Sequence, residues 1–354
     1  MKNIFINRFL NSLKNKEEYD KMSKASNPYG DGTACQRIAD ILFRTEVSNM
    51  DGTKKHIGAK MALFGATLIW GSSFLIVKNT MDVMQPHVLL ALRFTIGCLL
   101  LGIIFYKRLK NLNKDYFIKG GIIGVCLFLA YSLQTIGITD TTPGKNAFLT
   151  AIYCVLVPFM FWAVDKRRPD VFNVIAAFVS ILGIGLVSLN GNFSIRMGDC
   201  FTLAGGVIYA AHIVAVAKFG KDKDPILLTI IQFAYAAVFS WIIALLFEDV
   251  PSKLNVEALA GLFYLAVFAT AVALLLQNIG QKYTNPAPAS IILSLESVFG
   301  VIFSVIFYHE LITIRLFIGF CFIFLAIIIS ETKLRFLIRY KKVKSVIIQE
   351  DTFG

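Results

Sequence analysis

From about residue 58 onward the chain reads as long apolar runs cut by short polar turns. The runs occupy roughly 59–79, 86–106, 118–138, 143–164, 170–189, 199–218, 225–247, 256–279, 286–308 and 311–331. About 20 consecutive, mainly apolar residues are needed for a helix to cross the ~30 Å hydrocarbon core of a bilayer, and each run has that length. Backbone groups in hydrocarbon find no water, so a span must be a helix or part of a closed barrel. Barrel strands are shorter and alternate in polarity, which these runs do not. The pattern predicts an all-α integral membrane protein of ten transmembrane helices.

The pattern also repeats. At one constant offset Trp70 falls on Tyr209, Pro86 on Pro225 and Arg93-Phe94 on Gln232-Phe233. A second echo joins Gln134-Thr135-Ile136-Gly137 to Gln277-Asn278-Ile279-Gly280, each followed at the same distance by a proline, Pro143 or Pro286. Self-similarity over such a period marks a repeat architecture. Five runs per copy is an odd number, so the second copy enters the membrane upside down. Two inverted five-helix repeats are the geometry that supports alternating access about a site near the midplane. The organisation read here is a polar N-terminal extension (1–57), a first repeat (58–190), a second repeat (198–331) and a basic cytoplasmic tail (332–354).

Composition agrees with this reading. Hydrophobic residues make up 56% of the chain and charged residues only 16%, against about a quarter charged in soluble domains. The net charge of +12 does not point to nucleic acid, because of where the cations lie. Lys107, Arg108 and Lys110 follow the second run, Lys166, Arg167 and Arg168 the fourth, and a cluster from Lys333 the tenth. The opposite side receives one cation per loop, at Lys78, Lys145, Arg196, Lys253 and Arg315. Lysine and arginine in short loops mark the cytoplasmic face, which places both termini inside and the protein in the inner, cytoplasmic membrane. The six cysteines are scattered singly, without metal-ligand or disulfide spacing. Neither a cofactor nor a metal is expected.

Several polar residues stand inside the apolar runs. Arg93 lies about two turns into the second run, and a charge at that depth costs roughly 2.5–3.5 kcal/mol on insertion scales. It should face protein or water with a partner, unless it snorkels to the headgroups. Glu296 is the deepest carboxylate; its charged form loses solvation there unless a cation such as Arg93 holds it ionised. Gly300, one turn on, leaves room beside it, and Ser290, Ser294, Ser297 and Ser304 form a weakly polar stripe. His212, in the middle of the sixth run, either moves protons or bonds a neighbouring carbonyl. Trp70 and Ser73 lie near the middle of the first run, where small residues serve helix packing or line a path. Gln134, Gln277 and Gln232 complete the set of candidates for solute or coupling-ion contact. Pro158 is expected to bend the fourth helix.

Two resemblances emerge from these residues. Trp70-Gly71, Arg93-Phe94 and the stretch Leu295-Glu296-Ser297-Val298 ending at His309-Glu310, in this order and spacing, resemble the EamA branch of the drug/metabolite transporter superfamily over about residues 58–331. The chain departs from that pattern in having Asp165 where a glutamate often follows the fourth helix, and Ser297 where a proline often follows the glutamate. Separately, Asn27-Pro28-Tyr29-Gly30-Asp31-Gly32 and the residues after it, within about 22–48, resemble the C-terminal tail of non-hydrolysing UDP-N-acetylglucosamine 2-epimerases. A fragment of that size lacks the domains a sugar-nucleotide fold needs. It reads as a fused remnant, or as the mark of a displaced gene start with Met50 or Met61 as the alternative beginnings, in a mostly disordered extension with a short helix expected around residues 35–44.

The transporter resemblance implies a secondary carrier of small organic solutes, metabolite or drug, with proton coupling through Glu296 as one mechanism. Its partners are then the solute, the lipid bilayer, protons and, as one option, a second copy of the chain in a homodimer; nucleic acid is not among them. No GxxxxGK[ST] run is present for ATP, and no HExxH or GxSxG motif for an enzyme, so a non-enzymatic role is expected. The alternatives are a membrane-embedded enzyme, or a channel or signalling protein.

Overall fold

The computed structural model describes residues 52–166, 168–188, 195–251, 253–284 and 286–333. The chain divides into two units, 1–55 and 56–354, and the helical bundle belongs to the second. The epimerase-like run, the helix expected near 35–44 and the tail beyond residue 333 lie outside the described residues.

Among the described residues the structure is helical throughout. The helices are α1 (Gly52–Thr80), α2 (Pro86–Ile104), α3 (Lys114–Thr139), α4 in two pieces (Pro143–Thr150 and Tyr153–Asp165), α5 (Val171–Ser188), α6 (Met197–Phe219), α7 (Pro225–Phe247), α8 (Val256–Lys282), α9 (Pro286–Phe307) and α10 (Ile314–Thr332). A single extra turn, Tyr106–Leu109, comes after α2. Seven are long and apolar enough to cross a membrane: α1, α2, α3, α4, α6, α7 and α8. The apolar stretches of the other three are shorter, at Val171–Val187, Ile292–Phe307 and Ile314–Ser330.

Local chemistry sets the helix starts. Proline, which has no N–H to lose, opens α2, α4, α7 and α9. Side chains cap several first turns: Asn113 accepts from the N–H groups of Asp115 and Tyr116, Thr142 from Lys145, Asp224 from Ile226, Asn255 from Ala258 and Thr313 from Leu316. Such caps satisfy donors that the helix itself leaves open.

Two helices depart from the regular form. Within α8, Leu265–Val272 is π-helical. In α4 the break falls at Ala151–Ile152, ahead of the proline expected to cause it, and Pro158 sits inside the second piece. The break lies against α6, where a Cβ on Gly206 would come within 3.0 Å of the Thr150 carbonyl oxygen and 2.6 Å of the Ile152 side chain.

Contacts between helices come in matched sets. The pairs α2–α7, α4–α9 and α5–α10 each join corresponding helices of the two halves. The pair α3–α7 is matched by α2–α8, and α3–α6 by α1–α8, where Leu63 packs against Gly280. Glycines let these backbones touch. A Cβ on Gly137 of α3 would sit 2.8 Å from the Gly198 carbonyl oxygen of α6, and one on Gly183 of α5 would sit 2.9 Å from that of Gly319 on α10. The expected close-packing face of α3 is also present, since a Cβ on Gly124 would meet the Gln232 carbonyl oxygen of α7 at 2.9 Å.

The distribution of polarity is the reverse of a soluble protein's. Phe178, Ile181, Leu182, Leu245, Phe247 and Phe317 face outward, while Arg93, Asp199, His212, Gln232 and Glu296 are buried. An apolar exterior around buried charge is what a hydrocarbon solvent requires.

Candidate functional site: a polar cavity shared by both halves

A cavity opens between the helices, lined by α1, α2, α3 and α4 of the first half and by α6, α8 and α9 of the second. Six residues singled out in the sequence line it: Trp70, Ser73, Arg93, Gln134, Gln277 and Glu296. The other two, His212 and Gln232, are fully buried behind it between α6 and α7, and His212 Nε2 lies 3.1 Å from Gln232 Oε1. Among the described residues that pair leaves His212 Nδ1 and Gln232 Nε2 without partners.

The π-helical stretch of α8 organises one wall. Trp70 Nε1–H donates to the Ala269 carbonyl at 2.8 Å, and Arg93 Nε–H donates to Thr270 Oγ1 at 2.7 Å. Thr270 in turn donates to the Leu265 carbonyl five residues back, at 2.7 Å. Thus α1 and α2 dock on consecutive residues of α8, where a wider helical turn frees carbonyls for outside partners. Short π-helical segments often occur at functional sites.

Arg93 is buried, at 2% exposure, so it does not snorkel. Its guanidinium carbon stands 4.9 Å from the Tyr131 ring centroid and 6.0 Å from that of Phe94, within cation–π range. Among the described residues no carboxylate comes within ion-pair distance of it. The pairing with Glu296 that the sequence allowed is therefore not made. Glu296 is met by Tyr153, whose hydroxyl donates to Oε1 at 3.1 Å.

A third cluster closes one end. Tyr209 O–H donates to Gln134 Oε1 at 2.9 Å, and Gln134 Nε2 donates to Thr150 Oγ1 at 3.2 Å. Asn146 Nδ2 donates to the Gln134 carbonyl at 3.2 Å and to Thr202 Oγ1 at 2.8 Å. The Tyr131 and Tyr209 rings lie 5.5 Å apart at their centroids.

Two expectations around Glu296 change. The space beside Gly300 is taken by α4, since a Cβ there would meet that of Ala147 at 2.6 Å. Two members of the serine stripe on α9 bond protein groups: Ser297 donates to the Ser294 carbonyl, and Ser304 donates to Glu310 Oε2 at 2.5 Å. Conversely, Tyr131, Tyr153, Tyr209, Asn146 and Thr270 were not among the candidates. Their signal was a hydroxyl or amide inside an apolar run, which requires a partner when buried.

An apolar-faced helical bundle around an internal polar compartment defines a multi-pass membrane protein. Residues 57–189 and again 196–332 match the EamA-like transporter family, and the chain belongs to that family. An uncharacterized transporter of Archaeoglobus fulgidus is 34% identical over 302 residues, 83% of this chain and 92% of that protein. A solved crystal structure shares the fold with a TM-score of 0.59 at 20% identity, covering 79% of this chain and 98% of that one. Separately, 32 residues are 56% identical to a UDP-N-acetylglucosamine 2-epimerase of Campylobacter jejuni, 9% of this chain and 8% of that enzyme. A match of that extent carries no enzyme fold with it.

Proposed function

We propose that this protein is a secondary carrier that moves a small organic solute across the cytoplasmic membrane by alternating access. In this reading ten helices span the bilayer as two inverted five-helix repeats, residues 58–190 and 198–331, with both termini cytoplasmic. The observation that carries it is the cavity itself: a buried arginine and a buried glutamate, unpaired with each other, at a seam to which both halves contribute walls. The double match to one family, the constant sequence offset and the matched helix contacts support the repeat. Rocking of two halves about such a seam opens it to one side and then the other.

Glu296 is the coupling group in this mechanism. Met among the described residues by the Tyr153 phenol, its carboxyl takes up a proton when the cavity faces the more acidic compartment and gives it back on the other side. The test uses proteoliposomes loaded with buffer and placed in an isotope-labelled whole-cell metabolite extract, with uptake read by mass spectrometry. Wild-type vesicles should concentrate a solute when a pH gradient is imposed. Glu296→Gln keeps the shape and the bond to Tyr153, and should lose gradient-driven accumulation while retaining exchange. Accumulation by Glu296→Gln equal to wild type removes Glu296 from the coupling.

A further inference from the structure

The polar groups that the cavity leaves unspent describe the solute. Arg93 uses only Nε on protein, through Thr270; that threonine's own hydroxyl is committed to the Leu265 carbonyl, so its oxygen must accept. Among the described residues neither terminal guanidinium nitrogen has a hydrogen-bond acceptor. Tyr131 covers one face of the group at 4.9 Å, which leaves the edge of the fork for a ligand. A guanidinium does not lose its proton in proteins, whereas a carboxyl can take one up. The permanent charge of the cavity is therefore positive.

Acceptors also wait. Among the described residues Asn146 Oδ1 has no partner, and the residue is fully buried. Its amide orientation is fixed, because Nδ2 serves the Gln134 carbonyl, which can only accept, and Thr202 Oγ1, whose proton goes to the Gly198 carbonyl. Gln277 Oε1, on the second half, is also unpartnered among the described residues at 4% residue exposure, and no hydrogen bond there fixes which way this amide points, so it can present an acceptor or a donor. Leaving such buried groups empty is unfavourable, a cost that a matching solute removes.

Resting on the carrier reading, we infer that the transported solute is an organic anion, its carboxylate or phosphate oxygens held by the fork of Arg93 and its hydroxyl or amino hydrogens by Asn146, with the Gln277 amide as a further polar contact. Planar, two-point recognition of such oxygens is what arginine provides and lysine does not. The rings of Trp70 and Tyr131 flank the apolar part of the solute.

The test measures binding to the full chain in detergent by calorimetric titration. The probes are matched sets on two scaffolds: mandelate and its phosphate analogue as anions, mandelamide as the neutral form and 2-amino-1-phenylethanol as the cation, with glycerate and glyceramide as an aliphatic pair. An anion should bind at least about tenfold more tightly than its amide. Arg93→Gln should abolish that ratio without weakening the amide, and Arg93→Lys should leave part of it. A general loss of structure would weaken both members of a pair alike. Preference for the neutral or cationic member, an unchanged ratio in Arg93→Gln, or no binding by any anion overturns the inference. The carrier reading stands or falls separately: a bound anion that does not exchange across proteoliposomes defeats transport but keeps the site, and exchange of cations alone does the reverse.

Discussion

Glu310 offers a test of how the halves are clamped, and its cost can be worked from its contacts. His309, at φ 53°, turns the chain after α9 so that the Glu310 carboxylate returns to the start of α4. There Oε1 accepts from the Thr142 hydroxyl, while Oε2 accepts from the Gly144 N–H at 3.0 Å and from Ser304 at 2.5 Å. Replacing Glu310 with alanine strands all three donors in a site where the glutamate was 9% exposed. The two hydroxyls can rotate to other oxygens; the backbone N–H cannot. Counting one buried donor in full at roughly 1–3 kcal/mol, and adding about 0.3–1 kcal/mol for a negative charge removed from a helix N-terminus, gives a loss of about 1–4 kcal/mol. In a chain of this size, where 1 kcal/mol shifts Tm by about 2 °C, that corresponds to a fall in Tm of about 2–8 °C. Glu310→Gln retains one acceptor and should fall about half as far. Thermal unfolding in one detergent checks both. A Tm for Glu310→Ala within about 1 °C of wild type would show that the clamp contributes nothing, and the packing of α9 against α4 would need another cause.

Other outcomes rest on the same structure. Gly183→Leu should destabilise the α5–α10 pair more than any polar change, because its Cβ alone would lie 2.9 Å from the Gly319 carbonyl oxygen. Ile181→Ala, on the outward face at 62% exposure, should leave Tm within about 1 °C; comparable loss in both variants would refute the pairing. In a cysteine-free background, cysteines at Asn111 and Lys221 should resist an impermeant thiol reagent in intact cells while one at Asn192 reacts. Reversed labelling would invert the orientation.

How much of this was legible in the sequence depended on rarity. Charged residues are scarce in apolar runs, so Arg93 and Glu296 stood out, and the repeat singled out Gln134 and Gln277 by their echo. All four line the cavity. His212 and Gln232 were equally visible, but hydropathy does not fix how a helix is rotated about its axis, and they face each other instead. The tyrosines were missed because a tyrosine counts as apolar in such a run, although Tyr153 supplies the hydrogen bond to Glu296. The π-helical turn at Leu265–Val272 leaves no mark in composition, since it shifts one hydrogen-bond register and changes no residue type. The space expected beside Gly300 closed because a small residue can equally admit a neighbouring helix, here through Ala147.

The measurement closest to the central claim is solute counterflow. Proteoliposomes holding the wild-type chain are loaded with an unlabelled metabolite extract and diluted into a trace of the isotope-labelled extract, with no ion gradient. A carrier with one site reached from alternate sides should draw labelled solute inward transiently above equilibrium, for at least one metabolite, and empty vesicles should not. Labelled solute that only equilibrates, without that overshoot, would indicate a channel and contradict alternating access.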